Sequence, residues 1–206
     1  MQSDLSAATT EEVVLLDSNG EACGTMDKSA VHTDNTPLHS AFSIFLFNEK
    51  QQLLVQQRAH TKVTWPGIWS NSCCGHPAPG ESHEDAAARR LKEELGIENI
   101  KLTLALPSFR YKAVFQNIME NEICPVFIGI CKSDTPIDFK KSEVESIAWV
   151  SLKEFFKACQ NPRNTPFEDF SPWSIMEGRL LSASMRMKQI MKSIDEFSGN
   201  ILPLTA

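Results

Sequence analysis

Two short segments concentrate the side chains that could do chemistry. In Asn71-Ser72-Cys73-Cys74-Gly75-His76-Pro77 the thiols are adjacent, so on an extended backbone they point to opposite faces and one alone can line a pocket. In Met119-Glu120-Asn121-Glu122-Ile123 the carboxylates are two apart, so on a strand they share a face. If that face is inward, burying both acids is expensive unless they are paired or coordinate a metal. If Met119 and Ile123 are inward instead, both acids are solvated. His32, His39 and His76 complete the metal-ligand candidates, and a loop across Pro37 has to bring His32 and His39 together. Three imidazoles with two carboxylates suit a borderline ion, Zn²⁺ or Mn²⁺, and fit a closed tetrahedral structural zinc poorly.

A helix follows the cysteines. Ser82 is a good N-cap, Glu84 and Asp85 place acids in the first turn, and Gly96 supplies the stop. Between them Ala87, Leu91 and Leu95 form an apolar stripe, while Arg90 with Glu94 and Arg89 with Glu93 can pair one turn apart. Alone, this describes an ordinary amphipathic surface helix. With its flanks, however, the segment carries Gly75, Glu81, Arg89, Leu91, Glu93, Glu94, Gly96 and Ile97 in the spacing G-x5-E-x7-R-x-U-x-E-E-x-G-U, U being bulky aliphatic. This resembles the Nudix box, a loop–helix–loop that presents carboxylates to a metal-bound diphosphate. It departs at Arg90, where hydrolytic members carry Glu.

With the 71–77 segment fused to its front and Trp65-Pro66-Gly67 before it, the chain resembles the type I isopentenyl-diphosphate isomerase family over about residues 12 to 190. The resemblance implies an α/β fold, a Nudix-type α/β/α sandwich with a mixed β-sheet. It puts Cys74 in the catalytic place and leaves Cys73 as a small packing residue. It assigns proton transfers to Cys74 and Glu122, a supporting hydrogen bond to Tyr111, and stabilisation of a tertiary carbocation to Trp173. His32, His39, His76, Glu120 and Glu122 would hold one Zn²⁺ or Mn²⁺ (or Mg²⁺), and Glu94 a Mg²⁺ against the substrate diphosphate. Lys28, Arg58, Lys62 and Arg90 match the basic residues around that diphosphate, so the departure at Arg90 offers a cation where hydrolysis would use an acid. The implied reaction interconverts isopentenyl and dimethylallyl diphosphate in isoprenoid biosynthesis. The other readings are a Nudix hydrolase and a non-catalytic metal-stabilised binding module; the first has no use for Arg90, the second none for Cys74 beside a diphosphate helix.

Length and composition frame these assignments. At 206 residues, 42% hydrophobic and 22% charged, the chain suits one soluble domain with a sizeable core. We expect a tail at 1–10, one domain at 11–195 with its Nudix core near 37–175, and a second tail at 196–206. A net charge of −6 argues against a nucleic-acid partner, which needs a basic face. No apolar run suits a membrane span or a signal peptide. The expected partner is a small allylic or homoallylic diphosphate, with the protein a monomer or weak homodimer. Six cysteines without disulfide-framework spacing point to reduced thiols and the cytoplasm. Cys124 shares a strand face with Glu120 and Glu122 but is most simply core, as are Cys131 and Cys159, and His60 and His83 are expected in solvent.

Hydrophobic patterning predicts strands at 12–17, from about 21 to 26, and at 38–48, 53–58, 101–115, 118–131 and 143–150, with 49–51 a hairpin connection. The stretch 27–37 reads as loop with a helical turn. A short helix is expected at 152–158, then a polar loop at 160–170. Ser171-Pro172 opens one long helix carrying Trp173, Met176, Leu180, Met187, Ile190, Met191 and Ile194.

Overall fold

The structure is a computed structural model that describes residues 11–199. In chain order these form β1 (Glu12–Leu16), β2 (Ala22–Asp27), α1 (Lys28–Val31), β3 (His39–Ser40), β4 (Phe42–Phe47), β5 (Gln52–Arg58), β6 (Trp69–Ser70), β7 (Cys73–Gly75) and α2 (His83–Leu95). Then come β8 (Leu102–Leu106), β9 (Arg110–Phe115), β10 (Ile118–Ile123), β11 (Val126–Ile130), β12 (Val144–Ser151), α3 (Leu152–Gln160), α4 (Pro172–Ala183) and α5 (Met185–Gly199). Helix α5 runs past the domain end expected at 195; the tail expected at 1–10 and the 200–206 part of the other lie outside the described residues.

Strand β4 sets the layering. All of it is buried, and its side chains alternate between two apolar clusters. Phe42, Ile44 and Leu46 meet Ala86, Ala87, Leu91 and Leu95 of α2. Phe45 and Phe47 enter the other cluster with Phe155 and Cys159 of α3 and Trp173 and Ile175 of α4. A strand that is apolar except at Ser43 and covered on both faces suits a central sheet position. The result is the expected α/β/α layering, with each side of β4 sealed by its own helices.

The strands divide between two mixed sheets, ordered β2-β1-β3-β10-β9 and β12-β5-β4-β11-β8, with β6 on β5 and β7 on β4. Two expected strands therefore break. The 38–48 run splits at Ala41 into β3 and β4, and the 118–131 run splits at Cys124-Pro125 into β10 and β11, each half joining a different sheet. Proline cannot donate to a ladder, so Pro125 is a natural exit point. The two crossings lie side by side, with Ala41 N–H donating to Ile123 O at 3.0 Å and Ser43 N–H to Pro125 O at 3.1 Å. The 101–115 run breaks likewise after Leu106, at Pro107, into β8 and β9.

The long helix expected from Pro172 is also two helices. Ser184 adopts an extended backbone between α4 and α5, and its hydroxyl accepts from Met187 N–H at 3.1 Å, capping α5. Leu180, expected on the apolar face, is 49% exposed. Helix α2 is bounded as its sequence implies. Ser82 Oγ accepts from Asp85 N–H at 3.1 Å, and Gly96 takes the left-handed φ of 67°, its N–H donating back to Lys92 O.

Candidate active site

The first sheet builds one wall. Parallel register sets His39 beside Glu122, and the β9–β10 hairpin sets Tyr111 opposite Glu122 and Ala113 opposite Glu120. Glu120 and Glu122 are 5% and 6% exposed, so their shared face is inward and the solvated alternative does not hold. His32, just past α1, and His76, just past β7, close over them. His76 Nε2 lies 3.2 Å and His39 Nε2 3.4 Å from Glu122 Oε1, while His32 Nε2 lies 3.1 Å from Glu120 Oε2.

Ligand atoms of His32, His39, His76 and Glu122 all lie within 4.8 Å of one another, and Glu120 Oε2 stands at the edge of the group, 3.9 Å from His39 Nε2. His39 Nδ1 is 2.9 Å from Pro37 O; a carbonyl only accepts, so Nδ1 carries a proton and Nε2 is presented to the group. His32 Nε2, His39 Nε2 and Glu120 Oε2 are buried without an aligned hydrogen-bond partner among the described residues, although His32 and Glu120 are in contact. Buried nitrogen and oxygen atoms that converge without satisfying one another fit a divalent cation. Burial lowers the His76 pKa to about 4, so this imidazole is neutral and able to ligate.

The second sheet supplies the thiol. Antiparallel register puts Cys73 opposite Ile44 and Cys74 opposite Ser43. Cys73 joins the cluster under α2, and Cys74 faces the cavity, as the alternation requires. Cys74 S–H donates to Asn71 Oδ1 at 3.2 Å, and Ser43 Oγ lies 3.5 Å from Cys74 Sγ. Burial, with Glu177 adding to it, pushes the thiol pKa up to about 12. Trp173 roofs this part of the site, its Nε1–H within 3.2 Å of Asn71 Oδ1 and its ring centroid 5.7 Å from that of Tyr111. Burial, with Glu122 adding to it, holds Tyr111 well above the usual phenol range, so it stays protonated.

Cys74, His76, Tyr111, Glu120, Glu122 and Trp173 line one cavity of about 450 Å³, and Lys28, Arg58, Lys62 and Arg90 line it too. The basic residues arrive already engaged. Lys28 Nζ lies 2.5 Å from Glu11, Lys62 pairs with Glu143, and Arg90 pairs with Glu94 while also lying 3.4 Å from Glu143. Arg58 donates to Thr64 O and Trp65 O, holding Trp65 at a φ of 46°, a left-handed conformation costly for an aromatic residue. Its guanidinium carbon also sits 5.8 Å from the Trp173 ring centroid.

Glu94, which the resemblance assigns to a Mg²⁺ against the substrate diphosphate, is buried. It is 3% exposed, lies behind Arg90 rather than on the cavity wall, and has Gln56 Nε2 at 3.4 Å. The helical i,i+4 spacing that pairs it with Arg90 also covers it. Glu81 and Arg89 form a structural clamp: Arg89 donates to both Glu81 oxygens at 2.8 Å, and Glu81 accepts from Ala78 N–H. His83, expected in solvent, is half-buried with Nε2 2.9 Å from Ser40 Oγ, whereas His60 is exposed as expected. Cys124, Cys131 and Cys159 are core.

Sequence reasoning missed Glu11, Glu143, Ser43, Asn71 and Glu177. Glu177 had a legible signal, one helical turn beyond Trp173. Asn71 stands in the cysteine segment itself. The acids that meet Lys28 and Lys62 are 17 and 81 residues away in sequence, and no local pattern marks them.

Comparison with known proteins places the chain in a family. The NUDIX domain family matches residues 37–170, which spans β3 to Phe170. An isopentenyl-diphosphate Delta-isomerase of Saccharopolyspora erythraea is 50% identical over 164 residues, 79% of this chain and 81% of that one. Another, of Salmonella typhi, is 45% identical over 180 residues, 87% and 96% of the two chains. In fold, the crystal structure of a MutT protein from Methanosarcina mazei Go1 superposes with a TM-score of 0.56 at 20% identity, covering 76% of this chain and 96% of that one. The chain thus belongs, within the NUDIX domain proteins, to the isopentenyl-diphosphate Delta-isomerase family. Among the described residues no helix is long and apolar enough to cross a membrane.

Proposed function

We infer that this chain interconverts isopentenyl diphosphate and dimethylallyl diphosphate by protonation and deprotonation through a tertiary carbocation. One observation carries the reading: Cys74, four members of the His/Glu group (His32, His76, Glu120 and Glu122) and the basic residues share a single cavity. The substrate gains a proton at its terminal alkene carbon and loses one from the carbon beside the oxygen-bearing one, so two proton-handling groups are needed. Cys74 and Glu122 take these roles, coming from different sheets to the same cavity. An unactivated alkene is a very weak base, and the buried walls around Trp173 and Tyr111 exclude the water that would trap the cation. The Trp173 ring quadrupole faces that cation. Tyr111, a protonated phenol in register with Glu122, supports the carboxyl group.

His32, His39, His76, Glu120 and Glu122 would hold Zn²⁺, Mn²⁺ or Mg²⁺, whose charge makes a neighbouring carboxyl proton more acidic. Once a diphosphate draws Arg90 off its carboxylate, Glu94 would hold Mg²⁺, which supplies charge balance for the diphosphate. Lys28, Arg58, Lys62 and Arg90 bind and orient that diphosphate. We take residues 11–195 as one working domain, since elements from Glu11 to Trp173 line the cavity. Six free cysteines favour a reducing, cytoplasmic setting. We take the protein to act as a monomer or weak homodimer on a small allylic or homoallylic diphosphate.

Incubation with isopentenyl diphosphate, following allylic product and free phosphate separately, tests the reading. Allylic product without phosphate is expected, with Cys74→Ala inactive and Cys73→Ala active. Phosphate release alone would make the chain a hydrolase, and equal loss in the two folded variants would refute the assignment of the thiol.

A further inference from the structure

Glu177 is a buried acid that the reaction above does not use. It is 0% exposed, and its Oε2 has no hydrogen-bond partner among the described residues. A carboxyl group in such a place is costly, and an apolar residue of the same size would remove the cost. The packing of α4 forces it inward. At Gly178 an added Cβ would lie 2.5 Å from Cys159 Sγ and 2.7 Å from the Phe155 ring, so α4 sits directly on α3 with no room to withdraw. One turn earlier on the same face, Trp173 and Ser174 reach Asn71 Oδ1. Helix α4 therefore delivers Trp173 to Asn71, which accepts the Cys74 S–H, and Glu177 to Cys124.

Resting on the isomerase reading, we propose that Glu177 is a positioning residue for the Cys74 thiol and acts through Cys124 and the hydroxyl of Ser43. Cys124 S–H points to Glu177 Oε1 at 3.9 Å, and Ser43 Oγ lies 3.4 Å from Cys124 Sγ and 3.5 Å from Cys74 Sγ. With the Cys124 proton turned to the carboxyl oxygen, the Cys124 sulfur is left as an acceptor for the serine hydroxyl. With the serine proton turned to Cys124, the lone pairs of Ser43 face Cys74. The thiol hydrogen then lies between two acceptors, Ser43 Oγ and Asn71 Oδ1, and its direction is fixed. Without the carboxyl group the Cys124 proton turns to Ser43 Oγ, the serine proton turns to the Cys74 sulfur, and the thiol loses one acceptor.

The test is a double-mutant cycle on the full chain, with Glu177→Met as an apolar residue of similar length. Glu177→Met should lower kcat at least about tenfold and leave KM within about twofold, because the diphosphate contacts lie elsewhere. Glu177→Gln, which keeps an acceptor oxygen, should restore most of the turnover. In a Ser43→Ala background Glu177→Met should cost little more, since the relay is already cut. Alkylation of Cys74 by iodoacetamide, read by mass spectrometry in Cys23→Ala protein without substrate, should change rate in Glu177→Met and Ser43→Ala alike. Native turnover in Glu177→Met, or independent additive losses in the cycle, overturns the proposal. Should Glu177→Met not fold, a native Cys74 alkylation rate in Ser43→Ala overturns it instead. If the unaltered protein converts no isopentenyl diphosphate, the isomerase reading falls, while the alkylation rates still judge Glu177.

Discussion

At the end of the cavity lined by His32, His76, Glu120 and Glu122, with His39 buried behind them, ligand atoms converge and several have no aligned partner. At the other end Lys28, Lys62 and Arg90 each lie against a carboxylate. The first arrangement accepts a cation without rearranging, because strand register already fixes His39, Glu120 and Glu122. The second has its charges matched internally, so on the proposed reading a diphosphate has to compete with Glu11, Glu94 and Glu143 for the same ammonium and guanidinium groups. A cation arriving with the diphosphate satisfies the displaced acids. One end is thus preorganised and the other must exchange partners, and the two should respond differently to mutation.

The largest difference is expected from His39→Ala. It removes a fully buried ligand, so the purified variant should lose its tightly bound metal and at least about a hundredfold in turnover. Metal analysis of the variant, beside Glu94→Gln, separates the two ends; loss of the same ion in both would merge them into one site. Between the ends, Trp173→Leu should slow turnover about thirtyfold, because a desolvated cation–π contact is worth roughly 2 kcal/mol and each ~1.4 kcal/mol is tenfold. Trp173→Phe should fall between the two, and equal rates for Phe and Leu would reduce the ring to packing. Glu94→Gln should raise the KM for substrate about tenfold and keep the first metal, read by titrating Mg²⁺ in the assay. The smallest effect belongs to Glu143→Gln. Freeing Lys62 and Arg90 from this acid should tighten binding of inorganic pyrophosphate in the absence of Mg²⁺ by about threefold, a change suited to calorimetry. Weaker binding there would mean that Glu143 orients the cations more than it competes for them.

Much of this was legible because it depends on local periodicity. The alternation that separates Cys73 from Cys74, the shared face of Glu120 and Glu122, and the capped helix from His83 to Leu95 are each set within a few residues. What escaped depends on partners far apart in the chain. The pairing of Glu11 with Lys28 and of Glu143 with Lys62 is made by tertiary contact alone. The breaks at Pro107 and Pro125 had a signal, since proline interrupts a ladder, but the apolar runs around them read as continuous strands. Ser184 was hidden for the opposite reason: Met187, Ile190, Met191 and Ile194 keep a helical period after it, so two helices resemble one. The burial of Glu94 follows from its i,i+4 relation to Arg90: the pairing was readable, but not that the guanidinium would cover the acid.

The paired strand crossings at Ala41 and Pro125 have a consequence for how the chain can be rewired. Glu122 and Tyr111 stand on one side of that seam, Ser43 and Cys74 on the other, and the backbone hydrogen bonds from Ala41 to Ile123 and from Ser43 to Pro125 rivet the sides together. The gap between Cys74 and Glu122 is therefore spanned by covalent chain, twice. Circular permutation can open the 18–20 turn without touching it, because that turn joins β1 and β2 at the edge of the first sheet. New termini at Ala41 or Pro125 would cut a rivet, and the spacing of thiol and carboxylate would become a matter of loop entropy.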